Sequence, residues 1–243
     1  QSDAAWEKLV SSPELVGVRF FLDELRFLAK VKMPPALETL ALDLAVDGYH
    51  AWGRLYDKTA GDLRVDFEEN GQTSSVSLGQ LATKMSDRNR GVRRQAFEKM
   101  TQAWTTREEH AAKMLNSIAG FRLALYKQRG WESPLYEPLV LARMKPESLD
   151  AMWGAVESQS RKLAPYIEAK KKLLGIDKFS WYDEFAPCGA SVKTYSYDEA
   201  AAFVVENTNS FSTHLAGFCK MAIEKRWIEA EDRPGKAGGG FCT

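Results

Sequence analysis

Residues 97–125 read FEKMTQAWTTREEHAAKMLNSIAGFRLAL, and apolar side chains recur along them in steps of three, four or seven residues. After Phe97, the recurring positions are Met100, Trp104, Ala111, Met114, Ile118, Phe121 and Leu125. This period places one apolar stripe of a helix against a core. Ser86 or Asp87 can cap the start of the helix, and Gly130 can end it. The pattern therefore predicts one helix of about 40 residues, which exceeds the usual length and indicates an elongated helical lobe.

Helical patterns also flank this stretch on both sides. Pro146 is a good first-turn residue for a second helix, Pro165 should kink or break it, and Gly175 should end its continuation. Ser196 and Glu199 have the spacing of a capping box, and the apolar positions after them predict a third long helix that runs to residue 222. The N-terminal third predicts helices on either side of a break at residues 34–35, over 18–28 and 37–56.

One segment alternates apolar and polar residues instead. Residues 63–67 and 73–78 flank Asn70-Gly71, a pair that accepts the positive φ angles of a tight hairpin turn. The predicted fold is therefore all-α, an elongated multi-helix lobe with one inserted β-hairpin at about 63–78. A helical solenoid is the alternative, although no fixed repeat is present.

The composition excludes several classes of protein. The chain has 243 residues, of which 44% are hydrophobic and 27% charged, as is typical of a soluble globular protein. Lys plus Arg and Asp plus Glu both number 33, so the basic excess of a nucleic-acid binder is missing. The longest apolar run, 200–205, is far below the roughly 20 residues of a membrane span. Three cysteines are too few for a disulfide framework, and residues 1–6 are unlike a signal peptide, so we expect a cytoplasmic location unless a signal has been removed.

No catalytic motif stands out among the reactive side chains. None of His50, His110 and His214 begins an H-E-x-x-H zinc motif, and no two of them are close in sequence. A pair of Cys219 and His214 would need a five-residue spacing that a regular helix does not favour. The basic run at 88–94 is interpreted as the solvated first turns of a helix, and the lysines at 170–172 as a helix C-terminus.

The order of several short segments resembles the oligoendopeptidase F branch of the thimet-oligopeptidase-like zinc metallopeptidases. The resemblance covers residues 15–243 and depends on segments 51–56 (AWGRLY), 87–97 (DRNRGVRRQAF), 115–118 (LNSI), 129–131 (RGW), 166–175 (YIEAKKKLLG), 181–187 (WYDEFAP), 226–229 (RWIE) and 236–242 (KAGGGFC). In that family an H-E-x-x-H helix and a glutamate ligand follow the glycine-rich segment, and this sequence contains no such motif. The resemblance thus implies an N-terminal portion, with residues 1–145 as a helical lobe with the hairpin and 146–243 as the beginning of the catalytic helical domain.

The activity implied by the resemblance is zinc-dependent hydrolysis of internal peptide bonds in short peptides. Zinc is expected in the complete enzyme and none bound by this chain alone, which has no assigned catalytic or metal-binding residue and is expected to be inactive. The expected partners are short peptide substrates and the missing C-terminal catalytic portion, without nucleic acid or membrane. This portion would form a wall of the substrate channel.

One local site is expected in the glycine-rich segment. In the family this segment leads into a short sheet whose edge can bind an extended substrate backbone, which implies substrate binding by Gly238, Gly239, Gly240 and Phe241. The alternative for the segment is a flexible loop. For the whole chain the alternative is a non-enzymatic all-helical scaffold or adaptor domain, which should expose few apolar patches, whereas a portion of a larger enzyme should expose many.

Overall fold

The computed structural model describes residues 2–189 and 193–230, and this part of the chain is helical apart from one hairpin and the connecting loops. The helices are α1 Asp3–Val10, α2 Arg19–Lys30, α3 Pro35–Ala45, α4 Ala51–Asp62, α5 Leu78–Lys84, α6 Arg90–Thr105, α7 Glu108–Gln128, α8 Tyr136–Leu141, α9 Pro146–Ser160, α10 Ala164–Leu174, α11 Tyr197–Phe211 and α12 Thr213–Glu224. Short 3-10 turns lie at Val16–Val18, Arg161–Leu163 and Trp181–Asp183, and a π-helical turn lies at Val46–His50. The predicted all-α class with one inserted hairpin is confirmed.

The prediction of one helix of about 40 residues is wrong, because α6 ends at Thr105 and α7 begins at Glu108. Two successive threonines stand at the break. The Thr105 hydroxyl donates to the carbonyl oxygen of Thr101 at 2.9 Å, and the Thr106 hydroxyl donates to that of Ala103 at 2.7 Å. Such bonds to the preceding turn compete with the helical ladder and favour its end.

The predicted capping box at Ser196 is confirmed. The Glu199 amide donates to the Ser196 hydroxyl at 3.3 Å, and the Ser196 amide donates to the Glu199 carboxylate at 2.7 Å. The helix that begins there is shorter than predicted, because Ser212 has extended backbone angles (φ −157°, ψ 116°) and separates α11 from α12. Gly175, with φ 65°, ends α10 as predicted.

The hairpin consists of β1 Arg64–Glu69 and β2 Gln72–Ser77, paired antiparallel with Val65 opposite Val76. Asn70 and Gly71 form the turn with φ of 53° and 76°, the conformation that this residue pair predicts. Ser77 closes β2 and caps α5 through a reciprocal capping box with Gln80. Phe67 of β1 packs in a core with Leu81 and Ala96, so one side of the β-hairpin is buried.

Contacts within the chain divide it into two compact units, each built from two stretches of sequence. The first comprises the chain up to Tyr56 together with Glu108–Gln159, and the second comprises Asp57–Arg107 together with the chain from Ser160 onward. The division of the chain between residues 145 and 146 stays a prediction. No described helix is both long enough and apolar enough to cross a bilayer.

Each unit has its own packed contacts. In the second unit the core consists of Phe67, Leu81 and Ala96, surrounded by half-buried apolar side chains of β1, β2, α5 and α6. In the first unit the π-helical turn packs on α7, where a Cβ at Gly48 would lie 3.2 Å from the ring of Phe121. Glycine at this position therefore permits the close approach of the two segments.

Candidate functional site

A buried carboxylate connects two of the segments that carry the family resemblance. The side chain of Asp183 is fully buried, and it accepts hydrogen bonds from Arg90 (Nε, 3.0 Å; Nη2, 2.8 Å) and from Arg93 (Nη2, 3.0 Å). The amide of Ser180 donates to the same carboxylate at 3.0 Å. We call these four residues the Asp183 anchor; it fixes the turn at 180–183 against the first turn of α6.

Local sequence sets the geometry of the anchor. Asn89 caps α6 by accepting from the Gly91 amide at 2.8 Å, so the helix begins at Arg90. Arg90 and Arg93 are three residues apart and therefore share one face of the helix. Arg93 also donates to the carbonyl oxygens of residues 87, 88 and 182 at 2.8, 3.0 and 2.8 Å. Each buried polar group of the anchor is thus hydrogen-bonded.

The electrostatics of the anchor favour a charged Asp183. Burial raises the pKa of this carboxyl. Hydrogen bonds from Arg90, Arg93 and the Ser180 amide lower the pKa by more than burial raises it, so the net pKa lies below the usual value. An ionised carboxylate with its lone pairs occupied by donors is suited to positioning rather than to proton transfer. The interpretation of the whole basic run as solvated is wrong for Arg93, whose side chain is only 3% exposed, because it pairs with a carboxylate 90 residues further along the chain.

The anchored turn presents aromatic side chains to solvent. Trp181 is 73% exposed and Phe185 is 61% exposed, on either side of buried Asp183. Tyr182 instead packs on the ring of Phe97, with centroids 6.0 Å apart. Behind the turn, the buried Lys170 ammonium donates to the carbonyl oxygen of residue 184. The lysine run does end α10 as predicted, but Lys170 also holds this turn.

A second charged network lies in the first unit. Arg129 donates to both carboxylate oxygens of Glu38 at 2.9 and 2.6 Å, and both side chains are largely buried. Glu137 lies 3.7 Å from Arg129 and also accepts from the Tyr126 hydroxyl at 2.5 Å and from Arg122 at 2.8 Å. Burial and the bond to Glu137 raise the pKa of Tyr126. The network joins α3, α7 and α8.

Trp131 sits beside this network. Its indole N–H donates to the carbonyl oxygen of Val31 at 2.9 Å, and its ring centroid lies 5.2 Å from that of Tyr126 and 5.0 Å from that of Tyr136. The Arg129 guanidinium lies 4.8 Å from the ring centroid. Open clefts of about 500 and 570 Å³ flank the tryptophan. The segment 129–131 thus packs into the first unit through both its charge and its ring.

Replacing Glu38 by glutamine should lower the free energy of unfolding by about 2 kcal/mol, since hydrogen bonds to a charged group contribute about 1.5 to 3 kcal/mol. The bonds from Arg129 hold the pKa of Glu38 below its usual value, against the effect of burial, so the carboxylate is ionised at neutral pH. Urea denaturation followed by circular dichroism measures the loss. Glu7→Gln is the matched control, because its pair with Arg19 is exposed and should contribute under about 1 kcal/mol. Equal losses in the two variants would contradict this assignment.

The substrate-binding residues expected from the resemblance, Gly238, Gly239, Gly240 and Phe241, lie outside the described residues. Cys242 does as well, while Cys188 and Cys219 are free thiols. The histidines lie in different elements, namely His50 at the π-helical turn, His110 in the first turn of α7 and His214 in the first turn of α12.

The part of the chain that the structure describes does not fit a zinc site. Over 2–189 and 193–230, no three His, Cys, Asp or Glu side chains lie close enough together to hold a metal ion.

Sequence reasoning missed both charged networks, although several of their residues occur in segments that carry the resemblance. Asp183 lies in segment 181–187, Arg90 and Arg93 in segment 87–97, and Arg129 in segment 129–131. For the Asp183 anchor, the signal in the sequence was that segment 87–97 is basic and segment 181–187 is acidic. Which arginine pairs with which carboxylate is decided by the tertiary contact.

Large apolar side chains remain exposed in both units. They include Phe20, Phe21, Leu42 and Leu44 in the first unit and Leu173, Trp181, Phe203 and Phe211 in the second. The fully buried apolar core is small by comparison, and Phe67, Leu81 and Val10 are its largest members. Exposed apolar surface on this scale marks sites of interaction rather than an ordinary protein surface.

The known proteins that this chain resembles in sequence are oligopeptidases. The family model described as "Oligopeptidase F" matches residues 1–64. The oligoendopeptidase F homolog of Lactococcus lactis subsp. lactis (strain IL1403) is 25% identical over 182 residues, which are 74% of this chain and 30% of that protein. Oligopeptidase PepF of Bacillus subtilis (strain 168) is 22% identical over 178 residues, 72% of this chain and 26% of that protein. The chain thus matches less than a third of the length of these relatives.

Solved structures share the fold over nearly the whole chain. A putative oligoendopeptidase F from Bacillus anthracis str. Ames has a TM-score of 0.74 at 17% identity, covering 99% of this chain and 44% of that one. PZ peptidase A, solved with an inhibitor, has a TM-score of 0.78 at 19% identity, covering 98% of this chain and 43% of that one. This chain is therefore oligoendopeptidase F-like, a relative of peptidases in sequence and similar to them in fold.

Proposed function

We propose that this chain is part of a zinc-dependent oligoendopeptidase that hydrolyses internal peptide bonds of short peptides, and that it forms a wall of the substrate channel. The observation that supports this most is the similarity to peptidases along the chain, by sequence over 74% of it and by fold over 98 to 99%. Zinc would be held by polypeptide other than the described residues. We also propose a cytoplasmic location, for which the free thiols Cys188 and Cys219 are suitable.

The exposed apolar surface favours this proposal over a self-contained scaffold or adaptor. A scaffold that functions alone should bury its large apolar side chains, whereas Leu173, Trp181 and Phe211 are 75%, 73% and 85% exposed. A portion of a larger enzyme keeps such surface for the remaining polypeptide.

The test compares the 243-residue protein with the complete product of its gene, using an internally quenched peptide and zinc analysis of both. We expect the complete product to bind zinc and cleave the peptide, and a chelator to abolish cleavage until zinc is restored. The 243-residue protein should do neither. Cleavage by the complete product that survives the chelator, or a gene product without bound zinc, would refute the proposal.

A further inference from the structure

The last two helices in the described part of the chain form a hairpin with few other partners. Within residues 2–189 and 193–230, α11 and α12 each pack extensively only on the other. The buried and half-buried residues on α11 are Ala201, Val205 and Thr208, and those on α12 include Ala216 and Cys219. Their three- and four-residue spacing marks the face by which each helix packs on the other.

A different face of the hairpin is apolar and exposed. On α11, Phe203, Val204 and Phe211 lie within about 100° of one another around the helix axis, at about 100° per residue. They are 55%, 49% and 85% exposed. On α12, Phe218 is also exposed, and its ring lies 6.1 Å from that of Trp227. We call the three α11 residues the hairpin face.

The two helices of the hairpin have the length at which packing of an apolar face decides stability. Its helices have 15 and 12 residues, and helices shorter than about 12 to 15 residues are marginal in water unless an apolar face is packed. The buried and half-buried positions of α11 are Ala, Val and Thr, and those of α12 include the larger Met221 and Ile223. On α11 the two phenylalanines of the hairpin face thus lie away from the contact with α12.

We infer that the hairpin face is the docking surface for the polypeptide that makes up the remaining length of the longer relatives. In the two solved structures described above, this chain corresponds to 43 to 44% of the molecule, so more than half of each is further polypeptide. The inference rests on the proposed function, because it takes this chain to be part of a longer enzyme.

Thiol labelling tests the inference. In a background with Cys188, Cys219 and Cys242 replaced by alanine, Phe211→Cys is labelled with a maleimide in the 243-residue protein and in the complete gene product. We expect labelling to be at least about tenfold slower in the complete product, because a docked thiol reacts only through local opening. The matched control is Asn209→Cys, an exposed position on α11 away from the hairpin face, whose rate should agree within about twofold.

A second measurement needs no substitution. Hydrogen exchange of the α11 amides should be slower in the complete product than in the 243-residue protein. The amides of residues 70–71, in the turn between β1 and β2, should exchange at the same rate in both proteins. If the cysteine-free background does not fold, this comparison decides the question.

The outcomes separate the two proposals. Equal labelling and equal exchange in both proteins would refute docking, and chelator-sensitive cleavage by the same complete product would leave the proposed function standing. Protection without any cleavage would refute the function and support docking. Protection that grows with concentration of the 243-residue protein would show a second copy as the occupant and overturn the inference, as would a reading frame that ends at Thr243.

Discussion

Replacing Asp183 by asparagine is expected to lower the free energy of unfolding by about 3 to 5 kcal/mol, the usual cost of removing one partner from a buried ion pair. The variant leaves Arg93, with a side chain only 3% exposed, without its carboxylate, and it weakens the pairing with Arg90. Urea denaturation at neutral pH, followed by far-UV circular dichroism, measures the loss. The milder variant Arg90→Lys removes the bidentate contact with Asp183 but keeps the positive charge, so its free energy of unfolding should fall by less.

The matched control for Asp183 is Glu98→Gln, the same chemical change in an exposed pair. Glu98 accepts from Arg94 at 2.7 Å, and both side chains are more than half exposed, so the loss should stay within about 0.5 kcal/mol. If Asp183→Asn were as mild as this control, the anchor would not stabilise the fold.

The stability of the anchor also depends on pH with a definite sign. The folded pKa of Asp183 lies below the unfolded value of about 3.9, so its contribution is fully present above that pH. The contribution is lost as the pH falls through the folded pKa. Between about pH 5 and pH 3, the free energy of unfolding should therefore decrease less in Asp183→Asn than in the unmodified protein. Parallel curves for the two proteins would contradict a depressed pKa.

Replacing Phe67 by alanine is expected to cost about 3 to 5 kcal/mol, because the truncation leaves a cavity in the core of the second unit. Phe67 is 1% exposed and packs with Leu81 and Ala96, where the hairpin, α5 and α6 meet. The same denaturation measurement applies, and Phe67→Leu should recover part of the loss because it refills part of the cavity.

The matched control for Phe67→Ala is Phe211→Ala, which makes the same substitution at an exposed position. This side chain is 85% exposed, so the free energy of unfolding of the 243-residue protein should change by no more than about 0.5 kcal/mol. Comparable losses at both phenylalanines would mean that Phe211 is buried in solution, and would contradict the exposure described for the hairpin face.

Local signals were sufficient for several elements. Asn70-Gly71 predicted the hairpin because the turn needs two residues that tolerate positive φ, and both have it. Ser196 and Glu199 predicted the start of α11 because a capping box involves only residues three apart. In each case the interaction that decides the structure lies within a few residues of sequence.

Helix continuity was less predictable. The apolar period runs through Thr105 and Thr106 and again through Ser212, yet the structure ends a helix at each place. An apolar period reports which residues can face a core, and it does not record where the backbone leaves the helical conformation. The period alone therefore could not place these breaks.

The sequence by itself determined the all-α class, the single hairpin, the capping box at Ser196, the end of α10 at Gly175 and, through the order of its segments, the resemblance to oligoendopeptidase F. Only the tertiary structure decided that Arg93 is a buried partner of Asp183, that Glu38 pairs with Arg129, and that the apolar side of α11 faces solvent. The physical reason is distance along the chain. Caps and turns are formed by neighbours in sequence, whereas these charge pairs join residues about 90 positions apart, and their stability comes from burial that no local pattern records.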